Sequence, residues 1–372
     1  MFFPNVAAMR ERQWMDKSAY TYGLHGTPTT FTLEERIATL EGGLQCLLAP
    51  SGLAALALVN LGLLKTGDEV LLPDNAYGPG KDLAAGELRQ FGITHQVYDP
   101  MKPADLADRV TPRTRLVWLE AAGSVTLEFP DLLAQARLCR ELGVLSALDN
   151  TWGAGLAFNP FNLDGRGLAV DISVQALTKY PSGGGDVLMG SVVTRDAALH
   201  RKLKLCHMRL GLGVGGNDAE AVLRALPTLP LRYAAADRSA RHLAEWAARQ
   251  APFAQVLHPA LPASPGHAHW QAVCGAADAA GQGAAASLFS VVIDEKFSRE
   301  QVDAFCDALR LFRIGYSWGG PFSLVMPYEL QTMRHDWPAH LARGTLVRFA
   351  IGLEDTADLQ GDLQHAMQQT LA

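Results

Sequence analysis

The sequence predicts an α/β protein whose first part is a mostly parallel sheet between helices, followed by a smaller α+β unit. Short apolar runs alternate with helix-like stretches from about residue 41, the pattern of a sheet with helical crossovers. A segment with two prolines, LRALPTLPLRY (223–233), ends that alternation. At 372 residues and 48 % hydrophobic content, the chain is long enough for about two domains at roughly 150 residues each.

The elements follow in chain order. Residues 1–40 resemble neither part and are expected to form an N-terminal arm that packs on another subunit. LAPSGLAALALVN opens a helix over 52–64. Its Ser-Gly turn leaves the N–H groups of Ser51, Gly52 and Leu53 at the helix's positive end, where a phosphate would fit. DEVLLPD (68–74) reads as a buried strand, and Tyr77 in the following PDNAYGPG could lie on a flat cofactor. KDLAAGELRQFG (81–92) reads as a helix, RLVWLEA (115–121) as a strand and PDLLAQARLCRELG (130–143) as a helix. VLSALDN (144–150) is a strand that ends on Asp149, at the edge where open α/β sheets bind ligands.

DISVQAL (171–177) leads into Thr178, Lys179 and a run of glycines. A lysine at the mouth of a core strand is desolvated, which disfavours its charged form and makes the amine a better nucleophile or proton acceptor. Past a boundary near 230 come a helix over about 235–250, the connector HPALPASPGHAHW, a strand over 286–294, a helix over 299–310 and a last strand, TLVRFAIG (345–352). Arg348 in that strand needs an anionic partner, which a substrate carboxylate supplies in fork geometry. Taken singly, each of these residues also has an ordinary structural reading: a capped helix, a capping aspartate, a packed aromatic, an arginine paired within the protein.

The totals exclude several classes. A net charge of −6 with interspersed signs gives no nucleic-acid footprint. Five scattered cysteines, an odd number, point to a reducing compartment and against both a disulfide framework and a cysteine-ligated zinc. The N-terminus lacks a signal-peptide pattern, and no run reaches the ~18 apolar residues a membrane span needs; a cytoplasmic protein without membrane partners is expected. GLGVGG (211–216) matches a dinucleotide fingerprint but follows a helix-like basic stretch rather than a strand. His258, His267 and His269 lie in the proline-rich connector and read as solvated loop histidines, not a metal site. AADAAGQGAAA (276–286) reads as a low-complexity loop.

Jointly, a helix-terminal phosphate site, a ring-nitrogen carboxylate, a stacking tyrosine, an isolated lysine and a buried arginine are the parts of a pyridoxal 5'-phosphate site. From Phe3 almost to its end the chain resembles the transsulfuration (Cys/Met-metabolism) family of pyridoxal phosphate enzymes. The resemblance implies a type I PLP-dependent transferase fold, with an arm (1–40), a PLP-binding large domain (41–230) and a C-terminal small domain (231–372). In ALTKYPSGGGD, Lys179 falls on the family's Schiff-base lysine and Thr178 on a phosphate-contacting hydroxyl. In PSGLAA, Gly52 and Leu53 fall on phosphate-binding N–H groups. Asp149 of DNTWGAG falls on the partner of the pyridine nitrogen, and Tyr77 on the ring-stacking tyrosine, a second catalytic candidate beside Lys179. Arg348 falls on the carboxylate-binding arginine, with Ser317 and Trp318 of YSWGG near the bound amino acid. Tyr22 would reach the phosphate or substrate of a neighbouring subunit in a homotetramer built as a dimer of active dimers.

DNTWGAG, GSVTLE (123–128) and YSWGG (316–320) favour the family's β-lyase branch over its γ-acting relatives. The implied reaction is cleavage of L-cystathionine to homocysteine, pyruvate and ammonia, in methionine biosynthesis. Cystathionine γ-lyase, γ-synthase, methionine γ-lyase, O-acyl-homoserine sulfhydrylase and cysteine desulfhydrase activities remain alternatives within the family. Outside it stand a nicotinamide oxidoreductase built on GLGVGG and a catalytically silent interaction protein. The chain departs from the family pattern at Leu24, where an arginine would contact phosphate, at Ala176, where Ser or Thr is common, and at Gly184, which replaces a histidine. His25 is expected to supply part of the contact missing at Leu24. The N-terminal arm is expected to be short or truncated.

Overall fold

The computed structural model describes residues 2–371 apart from 12, 16, 18 and 276–282. Seven strands form the first sheet: β1 (Gln45–Ala49), β2 (Glu69–Pro73), β3 (Thr94–Tyr98), β4 (Thr114–Glu120), β5 (Leu145–Asp149), β6 (Ile172–Gln175) and β7 (Gly190–Thr194). Their order is β1-β7-β6-β5-β4-β2-β3. Every neighbouring pair is parallel except those made by β7, which runs against both β1 and β6. Side chains alternate across this sheet, and both faces are buried. Leu71, Val117 and Leu119 enter one core with Leu33 and Ile37 of the helix Pro28–Glu41. Val70, Leu72, Leu116 and Trp118 enter the opposite core with Leu56 and Val59 of the helix Gly52–Leu63. Burial on both sides is why these strands read as unbroken apolar runs rather than as alternating ones.

Helix ends fall where the local chemistry sets them. Ser51 accepts the Ala54 N–H at 3.0 Å, and Asp131 accepts the Ala134 N–H at 2.9 Å to open Leu132–Leu142. Gly143 closes that helix at φ 65°, a conformation glycine adopts without a Cβ penalty.

The second sheet holds β8 (Phe253–Leu257), β9 (Leu288–Asp294), β10 (Arg313–Ile314), β11 (Leu324–Tyr328) and β12 (Gly344–Ala350), in the order β10-β11-β12-β9-β8. It is antiparallel apart from the short β10–β11 pair. Phe289 and Phe349, register partners on β9 and β12, stack at 4.9 Å in a core closed by the helices Leu229–Ala247, Arg299–Ala308 and Thr356–Thr370.

Several expectations need correction. The helix expected over 81–92 begins at Gly78 and passes after Leu83 into a wider turn over Ala84–Leu88. The helix expected over about 235–250 runs over Leu229–Ala247. Pro230 sits in the first turn of Leu229–Ala247, where its missing N–H costs nothing. His258 is not solvated: it is wholly buried, accepts the Ala260 N–H at 3.3 Å, and burial pushes its pKa down to about 3. His267 opens the helix His267–Cys274 and its ring bonds the Pro259 carbonyl at 2.9 Å. Of the low-complexity stretch 276–286, residues 276–282 lie outside the described residues.

Candidate active site

The carboxyl ends of β1, β2, β4, β5 and β6 carry the site, because in a parallel sheet these ends open together on one edge. β1 delivers the Ser51 turn, β2 the stretch 74–77, β4 Glu120, β5 Asp149, and β6 the stretch 176–179. The second sheet brings Arg348 on β12 and, from the segment before β11, Ser317 and Trp318.

Lys179 and Arg348 meet on that segment. The Lys179 ammonium donates to Ser317 Oγ at 3.0 Å and lies 5.1 Å from the Trp318 ring centroid. The Arg348 guanidinium donates through Nη2 to the carbonyls of Tyr316 at 2.7 Å and Ser317 at 3.3 Å, and lies 5.3 Å from the Tyr328 ring centroid. Arg348 is 5 % exposed, yet its Nε has no acceptor. Burial and the positive charge of Arg348 bring the Lys179 pKa down to about 8, with Asp149 opposing the shift.

Asp149 is held by Thr151, which donates its N–H at 3.0 Å and its hydroxyl at 2.6 Å to Oδ1. Beside it on β4, Glu120 accepts the Tyr77 N–H at 2.9 Å. Both acids line a small open pocket together with Tyr77, Leu56, Asn60 and Trp118. Burial raises both carboxyl pKa values, and the Asp149 charge helps lift Glu120 to about 8.

Gly52 and Leu53 begin the helix Gly52–Leu63, so their N–H groups have no partner within it. A Cβ on Gly52 would fall 2.6 Å from that of Ala176; the two backbones approach closely where the phosphate is expected. The Thr178 hydroxyl donates to the Met189 carbonyl and accepts the Met189 N–H, both at 3.1 Å, so its proton is already committed. Tyr22 is exposed and packs edge-on against His25 at 5.8 Å. Among the described residues no hydrogen bond or ring contact joins Tyr22 to Lys179, Asp149 or Arg348. His25 contacts Thr21 Oγ1 at 3.0 Å, and with Leu24, Trp14 and Lys204 it lines a separate open pocket.

Glu120 and Thr151 escaped the sequence reading. Glu120 carries the same signal as Asp149, an acid ending an apolar strand, and could have been found by it.

The arrangement places an amine of lowered pKa, a half-buried acid hydrogen-bonded by Thr151, an aromatic ring and a guanidinium with a spare N–H around one strand edge. Those groups suit a ring whose nitrogen is protonated and an amino acid with its carboxylate. The family described as "Cys/Met metabolism PLP-dependent enzyme" matches residues 2–368. A cystathionine beta-lyase of Bordetella avium is 38 % identical, the alignment covering 99 % of this chain and 89 % of that protein. Cystathionine beta-lyase MetC of Escherichia coli is 35 % identical, over 92 % of this chain and 84 % of that one. The crystal structure of a cystathionine gamma synthase from Xanthomonas oryzae pv. oryzae, in complex with aminoacrylate and cysteine, superposes with a TM-score of 0.86 at 29 % identity, covering 100 % of this chain and 91 % of that chain.

Proposed function

Since the chain belongs to the Cys/Met-metabolism family of PLP-dependent enzymes, we propose that it is a carbon–sulfur β-lyase that cleaves L-cystathionine to homocysteine, pyruvate and ammonia. The observation that carries this reading is the meeting of Lys179 and Arg348 at Ser317. It puts a nucleophilic amine and a carboxylate receptor within one residue of each other. The β-acting choice follows the cystathionine beta-lyases among the relatives.

Pyridoxal phosphate, when bound, supplies an aldehyde that joins an amine and a ring that withdraws electrons from the substrate Cα. The residues present fit it. Lys179 would hold the aldehyde through its amine, and that amine, its pKa brought down to about 8, would serve as the base for the substrate Cα proton. Asp149, steadied by Thr151, would accept a ring N–H and so favour the protonated nitrogen. Tyr77 covers the ring, its backbone fixed by Glu120. Gly52 and Leu53 donate to the phosphate, and Thr178 joins them only by giving up its bond to Met189. Arg348 takes the substrate carboxylate with its spare N–H, while Ser317 and Trp318 border the amino acid. The departing sulfur receives its proton from Lys179 or Tyr77.

The rest of the reading concerns setting. The proposed domains are 1–40, 41–230 and 231–372, with Tyr22 proposed to serve a neighbouring subunit in a homotetramer. The cytoplasm is the proposed compartment; among the described residues no helix is long and apolar enough to cross a membrane.

The test is product identity together with the cofactor's spectrum. Purified protein should show a long-wavelength cofactor band that Lys179→Ala abolishes, and should release pyruvate, not 2-oxobutyrate, from cystathionine. Release of 2-oxobutyrate would replace the β-lyase with a γ-lyase, and borohydride trapping on another residue would overturn the role of Lys179.

A further inference from the structure

Between β11 and β12 runs a segment, 329–343, whose two flanking strands hold the Arg348 site: Arg348 itself on β12, and Tyr328, under its guanidinium, at the end of β11. This segment is tied to the first sheet by an ionic cluster. Arg334, 8 % exposed, donates through Nε to Asp74 Oδ2 at 2.9 Å. Its Nη1 and Nη2 form a fork on the two oxygens of Glu128 at 3.0 and 3.1 Å. Glu128 is wholly buried and also accepts from Asn75 at 3.1 Å, from Thr126 at 2.9 Å and from His340. Lys81 closes a further link, donating to the carbonyls of Asp74 at 2.8 Å and Met333 at 2.6 Å.

Apart from Lys81, on the helix just after Tyr77, these first-sheet contacts fall on the stretch that ends at Tyr77 or on the loop 123–128. Asp74 and Asn75 directly precede Ala76 and Tyr77, and the Asn75 carbonyl accepts the Ser124 N–H at 2.8 Å. A Cβ on Gly123 would lie 2.0 Å from the Asn75 side chain, so the loop and the Tyr77 stretch have no slack between them. On its other side the loop is fastened to β9 by Ser290, whose hydroxyl donates to the Val125 carbonyl at 2.6 Å. A bidentate guanidinium pair fixes direction as well as distance. Burial raises the Glu128 pKa, but His340 and Arg334 outweigh it and bring the value to about 2, so Glu128 stays ionised across the neutral range.

We propose that Arg334 is a positioning residue: by clamping Asp74 and Glu128 it sets the spacing between Tyr77, over the cofactor ring, and Arg348, at the substrate carboxylate. The inference rests on the roles given above to those two residues. A merely structural Arg334 would affect only stability. A positioning one affects how substrate binding and the cofactor's surroundings depend on it.

The test compares the holoenzyme of wild type, Arg334→Met and Arg334→Lys for KM and kcat with L-cystathionine, for circular dichroism of the bound cofactor, and for Tm. Arg334→Met should raise KM about tenfold, with a smaller change in kcat, and alter the cofactor's dichroic band. Arg334→Lys, which keeps the charge but loses the fork, should fall between it and wild type. Should Arg334→Met not fold, Asp74→Ala removes one arm of the clamp and should raise KM about threefold. A variant with lowered Tm but wild-type KM and an unaltered cofactor band overturns the proposal. A wild type that carries no pyridoxal phosphate overturns it too, together with the function on which it rests.

Discussion

Glu120 and Asp149 are register partners at the carboxyl ends of β4 and β5, so their side chains leave the sheet on the same face and enter one pocket. Two carboxyls so placed, with burial resisting ionisation of each, do not both ionise readily at neutral pH.

Stability should therefore depend on pH through Glu120. Its folded pKa, about 8, stands above the ordinary carboxylate value of 4.5. The contribution is complete below about pH 4.5 and is lost as pH rises through about 8. Glu120→Gln removes that loss, so its Tm advantage over wild type should grow between pH 5 and pH 8.5 (roughly the window bounded by the two values). Parallel Tm curves for the two proteins would refute the assignment.

Attachment of pyridoxal phosphate needs the neutral Lys179 amine, so its rate should climb with pH and level off above about 8. Removing the Asp149 charge with Asp149→Asn takes away a group that favours the ammonium, and the midpoint should move down. Removing the Arg348 charge with Arg348→Met should move it up. Stopped-flow absorbance across the pH range measures both shifts, and opposite signs would show that Lys179 is not the attacking group.

Arg348→Ala removes charge-assisted hydrogen bonds of about 1.5–3 kcal/mol to the substrate carboxylate. KM for cystathionine should rise about 10- to 100-fold, with kcat reduced less. Arg348→Lys should recover only part, because an ammonium cannot hold the Tyr316 and Ser317 carbonyls and reach the carboxylate with a separate N–H as the planar guanidinium does. Steady-state kinetics decides it.

Gly52→Ala drives a methyl group to within 2.6 Å of Ala176. Overpacking of this kind costs about 1–3 kcal/mol, and here it also tilts the N–H groups expected at the phosphate. Both Tm and cofactor affinity should fall, and the double variant Gly52→Ala/Ala176→Gly should regain most of each. If cofactor affinity did not change in the single variant, the phosphate would have to bind elsewhere.

Much of the site was visible in the sequence because it lies at strand ends. Asp149 and Lys179 interrupt or follow apolar runs, and a polar residue there stands out against the buried strand. The fold class followed from the same contrast, while β3, THQVY, was passed over because polar residues at the sheet edge break its run. The clamp was invisible for a different reason. Arg334 and Asp74 are 260 residues apart, and nothing local marks either as half of a pair. His258 was misread because a proline-rich connector looks like surface, whereas its ring fills the core and takes a backbone N–H.

The amine at 179 follows a strand of the first sheet, the guanidinium at 348 lies in the second, and both bond the serine at 317. Competence is thus a property of the docked halves: a fragment ending after the first sheet would retain a reactive amine but have nothing with which to grip an α-amino acid by its acid end. Loosening the seam between the halves should silence turnover while the secondary structure of each is still intact.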